Sequence, residues 1–240
     1  MAQKTKVRPL EAAHAVLRLI RDPNATEEAF RVVRALDGGH VERLVERMKT
    51  TAAGRRLLAE RPNLLDALSD RERLAAMPEG SLGRAYLAFC DREGITPGGL
   101  IEASESDERD RFSEEVLYIG DRLRESHDLW HVVAGYRTDL AGENAVLAFT
   151  ASQTGSNGVF VLAASGYVAS WLLNRDVGTG RALTREAWKR GKRAAWLPEA
   201  YWEELLEKPL DEVRAMLRLA DVPTYQPVYP EDIGLTPAAA

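Results

Sequence analysis

The chain has 240 residues, of which 45% are hydrophobic and 29% are charged, with a net charge of −5 at pH 7. Disorder is excluded, because it requires low hydrophobicity together with high net charge. Nothing in the overall charge is typical of nucleic-acid-binding proteins, so no nucleic acid is expected as a partner. A single cysteine, Cys90, excludes an internal disulfide and a cysteine-based zinc cluster. The length predicts one domain with a substantial core.

Apolar residues at helical spacing begin near the N-terminus. Leu10, Val16 and Ile20 predict a first helix that ends at Asp22-Pro23. Thr26 is expected to cap the second helix. Further short helices are expected on either side of Gly38-Gly39. The N-terminal segment is basic but lacks a continuous apolar core, so it is not interpreted as a secretory signal.

The middle of the chain predicts two longer helices. Ser81 is expected to cap a helix that carries Leu82, Tyr86 and Phe89 on one face, and a polar loop is expected at residues 91–112. The next helix is expected to begin at Ser113 and to run to Val133 or Ala134, where Gly135 supplies the stop.

A run of 31 residues from Asn144 to Asn174 carries no charge. The polar segment QTGSNG interrupts it, so two buried helices at about 144–152 and 160–173 are expected rather than a membrane span. Amphipathic helical segments are expected at 184–196 and 199–221. The predicted fold is therefore all-α: a single-domain helical bundle over residues 1–240, with a Pro-rich extended tail at 223–240.

Two histidines, His127 and His131, lie four residues apart in a predicted helix. Both imidazoles therefore lie on one helix face, where two ring nitrogens can reach one metal ion. The same face continues through apolar and small residues, which predicts that the pair points toward the core. These residues are Val116, Gly120 and Leu123. The alternative is a pair of core histidines that bind no metal.

Two carboxylates lie near this pair in the sequence. Asp128 adjoins His127, and Glu143 follows His131 after eleven residues and a glycine-containing connection that can fold back. Imidazoles and carboxylates together suit zinc, iron or manganese. Asp128 stands at the position of the general-base glutamate of HExxH metalloproteases, so the sequence is not interpreted as a member of that class.

An HD-type phosphohydrolase is a further alternative. His40 could supply the upstream histidine of that class. The second histidine of the pair and the glutamate after it would then have no role.

HDLWH followed by eleven residues and Glu143 resembles the HDxxH-x11-E signature of the ubiquinone (coenzyme Q) biosynthesis protein 4 family. The surrounding block RLRESHDLWHVVAGYRTDLAGE is also similar to that family. So are the segment AFTASQTG and the element LGRAYLAF preceded by PEGS. The resemblance covers residues 77–205, and the turn SNG after QTG departs from it.

The resemblance implies an all-α protein of ubiquinone biosynthesis. It implies that His127, Asp128, His131 and Glu143 bind one divalent metal, zinc or iron, and are the catalytic residues. The implied activity is decarboxylation at ring C1 of a polyprenylated 4-hydroxybenzoate, either simple or in an oxidative form that leaves a hydroxyl group there. The alternative is a non-catalytic scaffold that binds prenylated lipids and organises ubiquinone biosynthetic enzymes.

The resemblance also suggests substrate-binding residues. The charge-free run is either plain core, as its composition favours, or the lining of a groove for the isoprenoid tail, with Val146 and Phe160 directed inward. Arg124 and Arg137 flank the motif. They are interpreted as solvated or ion-paired, or alternatively as binding the substrate carboxylate through two hydrogen bonds.

The expected partners are the polyprenylated hydroxybenzoate, other ubiquinone biosynthesis proteins and a membrane surface, with a homodimer as an open alternative. Three tryptophans near basic residues are interpreted as ordinary packing or as an interfacial patch. They are Trp188, Trp196 and Trp202. No transit peptide is recognisable, so the expected location is the bacterial cytoplasm, peripherally on the inner membrane.

Overall fold

The computed structural model describes residues 7–22, 25–97, 111–172 and 180–233. These residues form fourteen α-helices and no strand, which confirms the all-α prediction. In chain order the helices are α1 Pro9–Arg21, α2 Thr26–Leu36, α3 His40–Met48, α4 Ala52–Glu60, α5 Leu64–Ser69, α6 Arg71–Ala76, α7 Leu82–Glu93, α8 Glu114–Glu125, α9 His127–Ala134, α10 Leu140–Thr154, α11 Asn157–Leu172, α12 Gly180–Arg193, α13 Trp202–Leu205 and α14 Leu210–Met216.

The chain divides into two compact units. Unit 1 comprises Met1–His40, Tyr136–Arg193 and Pro223–Ala240, and unit 2 comprises Val41–Gly135 and Ala194–Val222. The single domain over residues 1–240 and the family core at 77–205 stay predictions. Among the described residues, no helix has both the length and the apolar character needed to cross a membrane.

One buried cluster of unit 2 forms where α3, α4 and α8 meet. Gly54 makes the close approach of α4 to the end of α3 possible, because a Cβ there would overlap the carbonyl oxygen of Met48. The buried side chains of this cluster are Val45, Met48, Leu57, Leu58, Val116 and Ile119. Their burial removes apolar surface from water, which is the main stabilising contribution in such a small core.

Ser81 caps α7 as predicted, because its hydroxyl oxygen accepts the backbone N–H of Arg84. The N–H groups of Leu82 and Gly83 donate to the carbonyls of Lys208 and Leu206, at 2.9 and 2.8 Å. Both carbonyls belong to the connection between α13 and α14. Residues 199–221 therefore form α13 and α14 rather than the continuous helical segment that the sequence predicts.

The predicted helix from Ser113 to Ala134 is interrupted. Ser113 caps its start and Gly135 ends it with a left-handed φ of 76°, both as predicted. Ser126, however, separates α8 from α9, and its hydroxyl donates to the carbonyl of Leu123. A serine hydroxyl that bonds back into the preceding turn competes with the regular helix. The buried residues of α8 are Val116, Ile119 and Arg122, so the predicted face through Gly120 and Leu123 is only partly correct.

Two other expectations need adjustment. Thr26 is the first residue of α2 rather than its cap, because Ala25 occupies the capping position without a side-chain hydrogen bond. The predicted loop at 91–112 begins later than expected, since α7 extends to Glu93, and residues 98–110 lie outside the described residues.

In unit 1, the charge-free run forms α10 and α11, which confirms the two-helix prediction; its last residues, from 173, lie outside the described ranges. Gly155, with φ of 70°, ends α10. Gly191 of α12 lies directly against α10, because a Cβ there would overlap Ser152 Oγ and lie 2.9 Å from the Phe149 carbonyl oxygen. Gln153 Nε2 donates to the carbonyl of Gly191 at 2.5 Å. The interface between α10 and α12 is thus closed by backbone contact.

The Pro-rich segment after residue 222 is non-helical up to Tyr229, as predicted, and ends in a 3-10 turn at Pro230–Ile233. It is bound to the start of α10. Tyr225 Oη and the N–H of Val228 each donate to the carboxylate of Asp139 at 2.8 Å, and the N–H of Leu140 donates to the Val228 carbonyl at 2.9 Å. We call these contacts the Asp139 clasp.

Candidate metal centre

The histidine pair lies on α9 in unit 2. His127 is the first residue of the helix, and His131 follows one turn later. Their Nε2 atoms are 3.2 Å apart, and the two rings are nearly perpendicular, with an interplanar angle of 79°. His131 is buried and His127 is half-buried. The predicted convergence of the two imidazoles is therefore present in the structure.

The separation of these nitrogens fits two ligands of one ion. Two nitrogens that each lie about 2.0–2.1 Å from a tetrahedral zinc are about 3.3 Å apart. The same separation fits a hydrogen bond in which one neutral imidazole donates to the other. In either case the facing nitrogens cannot both carry a proton.

Two sets of contacts within unit 2 fix the His131 ring and the helix that carries it. The ring of Phe89, on α7, stacks on His131 with centroids 5.7 Å apart. Arg214, on α14, donates to the carbonyls of Val132 and Val133 at 3.0 and 3.2 Å, which satisfies carbonyls at the C-terminal end of α9. These contacts hold the helix and the ring in one orientation. Neither Phe89 nor Arg214 is assigned a site role by the sequence pattern.

Asp128 is buried on another side of α9, about 100° round the helix from His127. Burial raises the pKa of the Cys90 thiol, and the negative charge of Asp128 acts in the same direction. Burial also raises the pKa of Tyr86, again with a contribution from Asp128. This carboxylate thus acts electrostatically on α7. Among the described residues it does not join the ligand atoms grouped at the histidine pair, and its role as a ligand stays a prediction.

Glu143 lies in the first turn of α10 in unit 1 and is half-buried. Asp139 caps this helix, and its Oδ1 accepts the N–H groups of Ala141 and Gly142 at 3.1 and 3.3 Å. A Cβ at Gly142 would lie 2.5 Å from Tyr225 Oη, so only glycine fits there. The Asp139 clasp therefore fixes the turn that presents Glu143. Its sequence signal is an aspartate directly before a helix, which indicates a cap but not the distant partners.

The two arginines near the motif have different environments. Arg124 forms an ion pair with Asp121, one turn earlier on α8, so the paired interpretation applies to it. Arg137 is exposed, and its backbone N–H donates to Tyr225 Oη at 2.8 Å. Binding of a substrate carboxylate by either arginine stays a prediction.

The two proposed tail-binding residues differ in burial. Val146 is fully buried within α10. Phe160 is 50% exposed and contacts Trp188 edge-to-face, with centroids 5.6 Å apart. The prediction that Phe160 points inward is wrong. The side of α11 that carries Gly158 packs on α2, because a Cβ at Gly158 would lie 2.5 Å from Val33 Cα. Phe160 lies on a different side of the helix.

An apolar cleft of about 410 Å³ lies between α1 and α11 in unit 1. It is lined by Val16, Ile20, Val161, Ala164, Ser165, Val168 and Ala169. The sequence predicts a cavity bordered by both charge-free helices. This cleft is bordered by one of the two. Helix α11 lines it, whereas α10 contributes no lining residue.

The three tryptophans also differ. Trp202 is fully buried, so it belongs to the core. Trp196 is half-buried in unit 2, with the guanidinium of Arg47 3.8 Å from its ring centre. Trp188 is half-buried in unit 1, with Lys192 Nζ 5.3 Å from its ring centre. Packing explains Trp202, whereas Trp196 and Trp188 each contact an exposed basic side chain.

Comparisons with known proteins extend the resemblance over most of the chain. The model of the family described as coenzyme Q (ubiquinone) biosynthesis protein Coq4 matches residues 9–223. The ubiquinone biosynthesis protein COQ4 homolog, mitochondrial, of Danio rerio is 34% identical over 181 residues, which are 75% of this chain and 65% of that protein. The corresponding mitochondrial protein of Schizosaccharomyces japonicus is 31% identical over 194 residues, which are 79% of this chain and 77% of that protein.

The chain spans less than two thirds of the length of several of these relatives, down to 55% for the protein of Scheffersomyces stipitis. A crystal structure from Nostoc punctiforme PCC 73102, a proposed ubiquinone biosynthesis protein, has the same fold. The TM-score is 0.68 at 21% sequence identity, over 90% of this chain and 100% of that chain. The family match over residues 9–223, together with the identity to the curated relatives, gives the conclusion that this chain belongs to the coenzyme Q (ubiquinone) biosynthesis protein Coq4 family.

Proposed function

We propose that the protein is a metal-dependent decarboxylase of ubiquinone biosynthesis, which removes the C1 carboxylate of a polyprenylated 4-hydroxybenzoate. The observation that carries the proposal is the separation of 3.2 Å between two imidazole nitrogens. This ligand pair lies within the signature HDxxH-x11-E of a family of ubiquinone biosynthesis proteins. A pair of core histidines that bind no metal would not need the carboxylates that the same signature contains.

In this proposal His127 and His131 bind the metal through Nε2, and Glu143 supplies the carboxylate ligand. Gly135 ends α9 and Asp139 caps α10, so only residues 135–139 separate the two helices that carry these side chains. Asp128, buried beside α7, acts as a fourth ligand or accepts a hydrogen bond that orients one. When bound, the metal supplies Lewis-acid stabilisation of negative charge on an oxygen of the ring as carbon dioxide leaves.

Zinc and iron would support different outcomes. Redox-inert zinc suits a decarboxylation in which a proton replaces the carboxylate. The oxidative form, which leaves a hydroxyl group at C1, consumes oxygen and requires an open-shell metal such as iron. Arg124 or Arg137 would bind the carboxylate before it leaves. The exposed guanidinium of Arg137 fits this role better than the ion-paired side chain of Arg124.

The isoprenoid tail would bind in the cleft between α1 and α11. Support comes from its lining, in which six of the seven residues are apolar. Val146 is too deeply buried to contact a tail without rearrangement, so its proposed role is to support α10. Phe160, on the exposed side of α11, would contact the tail only outside the cleft.

The second candidate is a non-catalytic scaffold that binds prenylated lipids for other ubiquinone biosynthesis proteins. The burial of His131 under Phe89 favours it, because closed sites are typical of structural metals. Association with those proteins, with a membrane surface or with a second copy is part of either candidate. The bacterial location is a prediction, and the relatives named above are mitochondrial.

Turnover by the purified protein separates the candidates. The protein is loaded in turn with iron, zinc and manganese and given oxygen and a prenylated 4-hydroxybenzoate, with products measured by mass spectrometry. For an enzyme, His131→Ala or Glu143→Gln should abolish carbon dioxide release while tail binding persists, and Glu143→Gln, at a half-buried position, should also leave the melting temperature unchanged. For a structural metal, both substitutions should lower melting temperature and tail binding together. If wild-type protein shows no turnover with any of the three metals, the decarboxylase is rejected and the scaffold is the remaining candidate.

A further inference from the structure

One face of α7 is buried against the histidine helix of unit 2. Tyr86, Phe89 and Cys90 lie three and four residues apart on this face, and all three are buried. The ring of Phe89 stacks on His131, with centroids 5.7 Å apart. On α9, Asp128 precedes His131 by three residues, so the two are neighbours on that helix. The residues of α7 on either side of Phe89 therefore lie beside the candidate metal centre.

The carboxylate of Asp128 lies on the α7 side of α9. Asp128 is buried. Burial raises the pKa of Tyr86 and of Cys90, and the negative charge of Asp128 adds to the effect at both residues. A charge shifts a pKa mainly within about 4–6 Å. Helix α7 therefore offers this carboxylate a hydroxyl and a thiol.

The Tyr86 hydroxyl is a buried polar group without a hydrogen bond. Tyr86 is 1% exposed, and no group among the described residues has hydrogen-bonding geometry with its Oη. The sulfur of Cys90, one turn later, lies beside it but is a weak acceptor. Buried groups of this kind are rare in native proteins, where a catalytic role or a bound ion often explains them. Phenylalanine would fill the same space without leaving a hydroxyl unbonded.

We propose that Tyr86 is a positioning residue for the metal centre, and that its hydroxyl donates a hydrogen bond to the Asp128 carboxylate in the metal-bound protein. A hydrogen bond from a hydroxyl to a carboxylate is stronger than one between neutral groups. It would fix the direction of the Asp128 oxygens, as residues around metal ligands commonly do. Cys90 is a poor substitute, because a thiol is a weak donor.

A second buried tyrosine shows what a purely structural hydroxyl looks like in unit 2. Tyr118, on α8, donates to the carbonyl of Pro62 at 3.2 Å, so its hydroxyl contributes to the fold itself. Tyr86 has no such bond. The positioning role rests on the metal centre of the proposed function but not on decarboxylation. It applies equally to an enzyme and to a scaffold with a structural metal.

Zinc binding by the full-length protein tests the role of the Tyr86 hydroxyl. Tyr86→Phe removes only the oxygen. The variant should bind zinc roughly 10- to 100-fold more weakly, as measured by isothermal titration calorimetry. In the metal-free protein it should keep or raise the melting temperature, because the hydroxyl that it removes has no partner there. A residue with only a structural role would not give both results.

The matched control is Tyr118→Phe. This variant loses the hydrogen bond to Pro62, so it should lower the melting temperature by about 2–4 °C and leave zinc affinity unchanged. A double-mutant cycle identifies the acceptor of the Tyr86 hydroxyl. With Asp128→Ala as the background, Tyr86→Phe should change zinc affinity by less than about twofold, because the acceptor is already absent.

Three results would overturn the positioning role. They are wild-type zinc affinity in Tyr86→Phe, a loss of affinity that comes with a lower melting temperature of the metal-free protein, and an undiminished effect of Tyr86→Phe in the Asp128→Ala background. If Asp128→Ala does not fold, the comparison of Tyr86→Phe with Tyr118→Phe decides alone. Absence of zinc binding by wild type would reject the metal centre and this role together. Zinc binding without turnover would reject only the decarboxylase.

Discussion

Helices α10 and α11 come from the same charge-free run, yet one is sealed against its neighbour and the other is not. The contact of α10 with α12 closes on Gly191, with the amide of Gln153 bonded to its carbonyl. The contact of α11 with α1 leaves a cleft of about 410 Å³. Branched side chains such as Val16 and Val161 line the cleft together with the small side chain of Ala164.

The difference shows that a lack of charge has two structural meanings. Where a glycine lets backbones meet, the apolar helix becomes core. Where branched and small side chains meet instead, part of the apolar surface stays accessible. The three predictions below test this distinction with matched positions on the two helices.

The largest difference is expected for aspartate at Val146 and at Val168. Val146 is fully buried, so Val146→Asp places a carboxylate in the core and should cost about 4 kcal/mol or more of unfolding free energy, or prevent folding. Val168→Asp, at a half-exposed position, should cost about 1 kcal/mol or less. Urea denaturation followed by circular dichroism measures both. Equal destabilisation by the two substitutions would contradict the distinction.

A methyl group at Gly191 should have the next largest effect. Gly191→Ala pushes α12 away from Ser152 and Phe149 and should lower the unfolding free energy by about 1–3 kcal/mol. The control is Gly120→Ala in α8, where a Cβ would meet only the Arg124 guanidinium, at 3.8 Å. That substitution should stabilise by up to about 1 kcal/mol, because alanine favours helix. If both variants gained stability in thermal melts, the α10–α12 contact would be looser than described.

The smallest difference in unfolding free energy is expected when leucine replaces one alanine in each helix. Ala148→Leu overpacks a buried position of α10 and should cost about 1–3 kcal/mol. Ala164→Leu fills part of the cleft and should change the unfolding free energy by less than about 1 kcal/mol. The same variant should weaken binding of a fluorescent prenyl lipid, which titration can measure. Tail binding at the wild-type level by Ala164→Leu would remove the cleft from the proposed function.

Features that depend on neighbouring residues could be predicted from the sequence. The i,i+4 spacing of His127 and His131 predicts their convergence, and the structure places their nitrogens 3.2 Å apart. Ser81, Ser113 and Gly135 act at helix ends as their residue types indicate. Each of these features is decided within one or two helical turns.

Features that depend on distant residues could not be predicted. Phe89 stacks on His131 from another helix, and the carbonyls of Leu206 and Lys208 cap α7. The orientation of Phe160 was missed for a different reason. A helix without charged residues has no polar face, so its pattern does not indicate which side is inward.

The Asp139 clasp has a consequence for the order in which the chain folds. The N–H of Val228 bonds to a carboxylate 89 residues earlier, and unit 1 is assembled from three separate stretches of chain. On the ribosome, chains emerge N-terminal end first, and contacts distant in sequence form late. The start of α10 therefore lacks these hydrogen bonds until the chain has been synthesised past Val228. The helix end that presents Glu143 should therefore become ordered only after that point.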